Sequence, residues 1–189
     1  ERFRKSTVAP AASMDAVNIE GAASDYEIRL WLDPTDKTAY YYTEPEKVYL
    51  DTDSSRMFYS IYYEQEIKNI LEIDLSGFDT SKVTDMSDMF SNMFNLTTLD
   101  ISNFDTSNVI DMGGMFSFRG VGAHDDKLEK IYVNNDFNTS KLTWFSNMFK
   151  ERKKLRGGNG SYLDNPSTAD KSWLRVDRPG VHGYFTKKS

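Results

Sequence analysis

Apolar residues along this chain recur in blocks of about 26 residues. Residues 70–95 read ILEIDLSGFDTSKVTDMSDMFSNMFN and residues 96–119 read LTTLDISNFDTSNVIDMGGMFSFR. At a shift of 26, Leu75 meets Ile101, Phe78 meets Phe104 and Val83 meets Val109. Met86, Met89 and Phe90 then meet Met112, Met115 and Phe116, and DLSGFDTSKVTDM agrees with DISNFDTSNVIDM at nine of thirteen positions. A third copy follows a longer loop: Leu128, Ile131 and Val133 replay Leu96, Leu99 and Ile101, and Phe137, Leu142, Met148 and Phe149 come into line one residue later. Val48, Leu50, Met57 and Phe58 read as a degenerate earlier copy. Self-similarity at a fixed period marks a repeat architecture, in which stacked units bury one continuous core.

Each repeat predicts two elements. In Leu96-Thr-Thr-Leu99-Asp-Ile101 the alternation points Leu99 and Ile101 one way and Thr98 and Asp100 the other, as in a half-buried strand. Met112-Gly-Gly-Met115-Phe116 has apolar residues at i, i+3 and i+4, one face of a short helical turn. Phe104 lies between them and is expected to form an inward Phe spine with its equivalents. The predicted fold class is α/β: a short leucine-rich-repeat solenoid with a parallel concave sheet, short helical turns and a β-hairpin cap at each end. Residues 1–24 show no apolar period and read as a linker, and 25–45 as an N-terminal hairpin cap. Tyr26, Ile28, Leu30 and Leu32 alternate there, with turn chemistry at Asp33-Pro34-Thr-Asp36. Residues 46–156 hold about four repeats. Residues 157–189 read as a C-terminal β cap, with strands around Trp173–Val176 and Gly183–Thr186 joined by a Pro179-Gly180 turn.

The pattern LxxLxLSxFDTSxVxxMxxMF, carried by Leu96 through Phe116 and repeated from Ile70 to Phe90, resembles the BspA-type leucine-rich repeats of bacterial surface proteins. The third copy departs from it, with Trp144 in a Met position. Including the segments that flank the repeats, the resemblance covers about residues 25–186. It implies a secreted or cell-surface protein that engages a protein or glycan on a host or neighbouring cell. It names no ligand.

Charge narrows the partners. The chain of 189 residues carries a net charge of −6. Residues 1–149 hold 13 Lys/Arg against 25 Asp/Glu, whereas 150–189 hold 10 against 4. An acidic body argues against nucleic acid, since phosphate binding needs a positive surface. There is no Cys, which excludes disulfides, thiolate catalysis and Cys-ligated zinc. No apolar run reaches the ~18 residues of a membrane span, so a membrane would be reached only through an anchor outside this chain. The chain starts at Glu1, and a signal peptide would precede it.

Catalytic and metal chemistry find little support. The only histidines, His124 and His182, lie apart in polar or Gly-rich stretches, and there is no GxSxG, P-loop or HExxH. Gly157-Gly-Asn-Gly-Ser161 lacks the Lys of a phosphate loop and reads as a turn. Asp51-Thr-Asp53-Ser-Ser55 begins like a calcium loop, but Arg56 and Tyr62 sit where that loop needs Gly and Glu. The recurring Asp residues (Asp74, Asp79 and Asp85 against Asp100, Asp105 and Asp111) read as turn caps. The expectation is a monomer that is not an enzyme and has no cofactor and no metal.

Two candidate binding surfaces follow. The concave strands would present Tyr49, Asp51, Glu72, Asp74, Thr98, Asp100, Lys130 and Tyr132. Tyr40, Tyr41, Tyr42, Tyr59, Tyr62 and Tyr63 would form an aromatic patch beside the first cap, in a residue type enriched at interfaces. Binding or adhesion is the first functional expectation; a structural spacer projecting another domain is the alternative.

Overall fold

The computed structural model describes residues 1–21, 24–59, 70–119 and 126–189. Ten short strands carry the fold: β1 (Arg2–Lys5), β2 (Val17–Asn18), β3 (Arg29–Asp33), β4 (Thr38–Tyr42), β5 (Val48–Tyr49), β6 (Glu72–Ile73), β7 (Phe78–Asp79), β8 (Thr98–Asp100), β9 (Lys130–Val133) and β10 (Phe185–Lys187). They form three sheets. A mixed five-stranded sheet has the order β2-β3-β4-β1-β6, a parallel three-stranded sheet the order β10-β9-β8, and β5 pairs with β7 in parallel. The β2–β3 and β3–β4 pairs are antiparallel, whereas β1 runs parallel to both of its neighbours.

This corrects the predicted α/β leucine-rich-repeat solenoid. Among the described residues there is no α-helix, only 3₁₀ turns at Ala12–Met14, Pro166–Thr168 and Lys171–Trp173, and there is no single concave parallel sheet. The physical reason lies in the Met-x-x-Met-Phe segments. Their backbone hydrogen bonds run sideways to the neighbouring repeat instead of along a helix: Met86 N donates to Asp111 O, Asp88 N to Gly113 O and Phe90 N to Met115 O, at 2.8–2.9 Å. One residue of each segment also adopts positive φ, namely Arg56, Asp88, Gly114 and Asn147. A left-handed residue there ends any helical turn.

The four segments, residues 52–58, 84–90, 110–116 and 143–149, therefore lie as parallel rows. Single bridges join them in sequence, Asp53 to Asp85 to Asp111 to Trp144. Inside the rows the apolar side chains close-pack. Met86, Met89, Met112, Met115 and Met148 are fully buried, and Phe58, Phe90, Phe116 and Phe149 stack with centroids 5.7, 6.1 and 5.2 Å apart. Phe104 is only half-buried and sits 6.2 Å from Phe90 at a tilt. The aromatic column is thus built from the Met-Phe pairs and not from Phe104.

The polar positions of the repeat satisfy the backbone. Thr80 Oγ1 donates to Asp105 O and accepts from Asp105 N, and Thr106 Oγ1 does the same with Asn138. Both threonines are buried. The recurring Asp residues accept from the N–H two residues on, as in Asp74 to Ser76, Asp79 to Ser81, Asp85 to Ser87, Asp100 to Ser102, Asp105 to Ser107 and Asp111 to Gly113. These are Asx turns, and they use carboxylate oxygens that a calcium site would need.

A buried ion pair closes the far end of the core. Arg152 and Asp126 are both 0% exposed, with Arg152 Nη1 2.8 Å from Asp126 Oδ1. Arg152 Nε also donates to Phe116 O at 2.5 Å, and the guanidinium lies over Phe118. Burial pushes the guanidinium pKa down from its ordinary value, and Asp126 counters that shift.

The ends also differ from expectation. The first 24 residues, read as a linker, supply β1 and β2. β1 lies between β4 and β6, with Phe3 paired to Ala39 and Ile73. It takes the sheet position next to β6 because β5 is elsewhere: Val48 pairs with Phe78, not with Ile73. The closing segment has no hairpin of two strands. β10 pairs with β9 in parallel, residues 171–173 are a 3₁₀ turn, and the Pro179-Gly180 turn closes a single Arg178–Val181 bridge.

Candidate binding face

The outward positions of β6, β8 and β9 fall into rows across the sheets. Glu72 pairs with Arg2, Thr98 with Lys130, and Asp100 with Tyr132, which pairs in turn with Thr186. The five-stranded sheet ends at β6 and the three-stranded sheet ends at β8, and no ladder joins these two edges. Asn103 spans the seam, its Nδ2 donating to Leu75 O at 3.0 Å and Phe78 O at 2.8 Å.

A cleft of about 570 Å³ opens over the seam, with Arg4, Glu72, Asp74, Thr98, Asp100 and Lys188 among its lining residues. Four of the eight predicted concave residues therefore meet in one place. Arg4 Nη2 lies 2.5 Å from Glu72 Oε1, Arg2 Nε 3.3 Å from Glu72 Oε2, and Lys188 Nζ 2.7 Å from Asp100 Oδ2. Burial alone would raise the Asp100 carboxyl, but hydrogen bonds from Lys188 and Ser102 hold it below its ordinary value. The hydrogen bond to Glu72 raises Arg4. The cleft thus presents alternating charge of both signs, not the uniformly acidic surface that the strands alone suggest. Arg4 and Lys188 were missed; the short alternation Arg2-Phe3-Arg4 was the available signal, hidden inside an apparent linker.

The other predicted residues lie elsewhere. Lys130 Nζ donates to Gly157 O, and Tyr132 stands on β9, one strand beyond the cleft. Tyr49 and Asp51 belong to the β5 side, where the Tyr49 ring sits under Lys82 Nζ at 4.7 Å. They are not part of the concave face, because the first copy aligns its strand with the Phe78 segment of the next repeat.

The tyrosines do not form one patch. Tyr40 stacks on Trp31 at 5.6 Å and donates to Asp36 Oδ2, while Tyr41 points to the opposite side, into the core. Burial pushes the Tyr41 phenol far up. Tyr42 lines a separate cleft of about 440 Å³ with Glu27, Arg29 and Glu44, and Tyr59 is half-buried in another row. Tyr62 and Tyr63 lie outside the described residues.

His124 lies outside the described residues. His182 is exposed, with Nδ1 2.7 Å from Ser161 Oγ, which is itself 2.7 Å from Asp177 Oδ1. Asp177 Oδ2 also accepts from Asn159 N and Ser161 N, so the Gly-rich turn wraps an internal carboxylate. Ser161 Oγ thus donates to Asp177 and makes its second short contact with the His182 ring. Among the described residues, no group of three or more His, Asp or Glu is placed to hold a metal ion, and no helix is long and apolar enough to cross a membrane.

Rows of stacked repeats beside an open polar seam define an all-β repeat protein among the described residues. Residues 52–172 match the family described as Mycoplasma protein of unknown function, DUF285, and the chain belongs to that family. No curated protein and no solved structure matches it.

Proposed function

We propose that the chain is a non-catalytic binding module of a cell-surface or secreted protein, which recognises a protein or glycan on a host or neighbouring cell through the seam cleft. The observation that carries this reading is the cleft itself. Two sheet edges stop short of each other there, and side chains of both signs converge on the gap. Fixed charges at short range favour an extended polar segment with complementary charge, since such complementarity gives register and specificity more than raw affinity. The cleft lining contains no aromatic ring for stacking on a sugar face, which favours a protein segment over a glycan. Backbone edges at the seam suit an added strand. The test is to screen the immobilised chain against extracellular-matrix proteins, whole host cells and a glycan array, beside an Asp74→Lys variant. The reading expects at least one saturable binder whose affinity falls at least tenfold in the variant. Binding that ignores the substitution, or no binder at all, would overturn it.

A further inference from the structure

The stack of rows is hydrogen-bonded at every internal junction. At its ends Phe58 is packed on Phe3 and Phe149 on Tyr184, but among the described residues the outer backbone edges at 52–55 and 143–147 carry no hydrogen bond. Between rows 52–58 and 84–90, Thr84 N and Asp85 N donate to Thr52 O, Ser54 N to Asp85 O, Arg56 N to Ser87 O and Phe58 N to Met89 O. The next two junctions repeat the same five bonds at equivalent positions. At the last row, among the described residues, Thr143 O has no donor, and Phe145 N and Asn147 N have no acceptor. At the first row, among the described residues, Thr52 N and Asp53 N have no acceptor, and Asp53 O and Ser55 O have no donor. Donors left at one end thus match acceptors left at the other, in the register of the three internal junctions.

The side chains at the two ends agree with this. Trp144, read in the sequence as filling a Met position, instead stands where the other rows carry Asp and is 67% exposed, and Met57 in the first row is 40% exposed. The ends also differ in charge: residues 1–59 hold 7 Lys/Arg against 11 Asp/Glu, and residues 150–189 hold 10 against 4. An unpaired strand edge is a template for pairing with another chain.

We propose that copies of this chain assemble head to tail, the row 143–149 of one copy pairing with the row 52–58 of the next as a fourth junction of the same ladder. Thr143 O receives the partner's two N–H groups, while Phe145 N and Asn147 N donate to the carbonyls of Asp53 and Ser55 on the next copy. The contact is heterologous, so it propagates into open chains and does not close as a symmetric dimer. It departs from the monomer that the sequence suggests, and none of the backbone groups it uses belongs to a residue that lines the seam cleft.

The absence of cysteine makes the test clean. Trp144→Cys and Met57→Cys each carry a single thiol, which a maleimide–polyethylene glycol caps to block one edge only. In sedimentation velocity, the unmodified chain is expected to rise in mass with concentration past two copies, and to fall back at high salt. Each capped variant alone is expected to lose self-association, reading as a monomer. Mixing the two should restore a one-to-one dimer, because each supplies the edge the other lacks. A constant monomer mass for the unmodified chain overturns the proposal whether or not the variants fold. So does a dimer formed by either capped variant alone, or failure of two folded capped variants to pair on mixing.

Discussion

Two ion pairs of the same type sit in opposite surroundings. Arg152–Asp126 is sealed between the last rows with both side chains 0% exposed, whereas Lys188–Asp100 spans the open cleft at 48% and 42% exposure. Their distances barely differ, 2.8 against 2.7 Å. Their consequences do. Inside, no water is available to either charge, so each depends on the other, Arg152 also on the carbonyls of Phe116 and Ser117, and Asp126 also on the N–H groups of Leu128 and Lys154. Outside, water competes with both partners, and the pair shapes recognition more than stability. Geometry alone therefore does not rank these contacts; the surrounding dielectric does.

The largest effect is expected from breaking the inner pair. Asp126→Asn leaves Arg152 as an uncompensated buried charge and should cost about 3–5 kcal/mol in urea unfolding. The double variant Asp126→Asn/Arg152→Met should lose less than the two single variants summed. Additive losses would show that the pair does not act as a unit.

Next comes the aromatic column that the inner pair adjoins. Phe116→Ala should cost roughly 3–5 kcal/mol, and Phe104→Ala clearly less because Phe104 is only half-buried. Equal thermal midpoints for the two variants would contradict the assignment of the column to the Met-Phe pairs.

The smallest effect is expected at the cleft. Lys188–Asp100 is an exposed pair and contributes under about 1 kcal/mol. The folded-state pKa of Asp100 is lowered, so its contribution is present above the unfolded carboxylate value of about 3.9 and is lost as pH falls through the folded value. Thermal midpoints of the unmodified chain and Asp100→Asn should differ slightly at neutral pH and converge in acid. A gap that widens on acidification would reverse the sign of this linkage.

Much of the packing could be read from the residues. The repeat shift placed Met86, Met89 and Phe90 against Met112, Met115 and Phe116, and all six are buried together. Asp at the turns announced its capping role. The backbone path was less legible, because apolar residues at i, i+3 and i+4 suit a helical turn and a row with one left-handed residue equally well. Gly114, and more weakly Asp88 and Asn147, are residue types that take positive φ; Arg56 adopts it under the demands of the ladder. The candidate face was half legible for a related reason. Glu72, Asp74, Thr98 and Asp100 follow from strand alternation, but Tyr49 and Asp51 were matched with Glu72 and Asp74, whereas the chain pairs Tyr49 with Asp79. Arg4 and Lys188 reach the cleft only through pairings between segments far apart in sequence.

β1 also has a consequence for the order of folding. Arg2 and Phe3 pair with Glu72 and Ile73, some seventy residues away, and one edge of β1 is paired only once β6 has formed. The middle repeats close contacts over about 26 residues, so they can assemble before this long loop is drawn shut. β1 then docks as a late-arriving piece. In hydrogen exchange its amides should open ahead of the Met-Phe rows, releasing the strand while the stack stays folded.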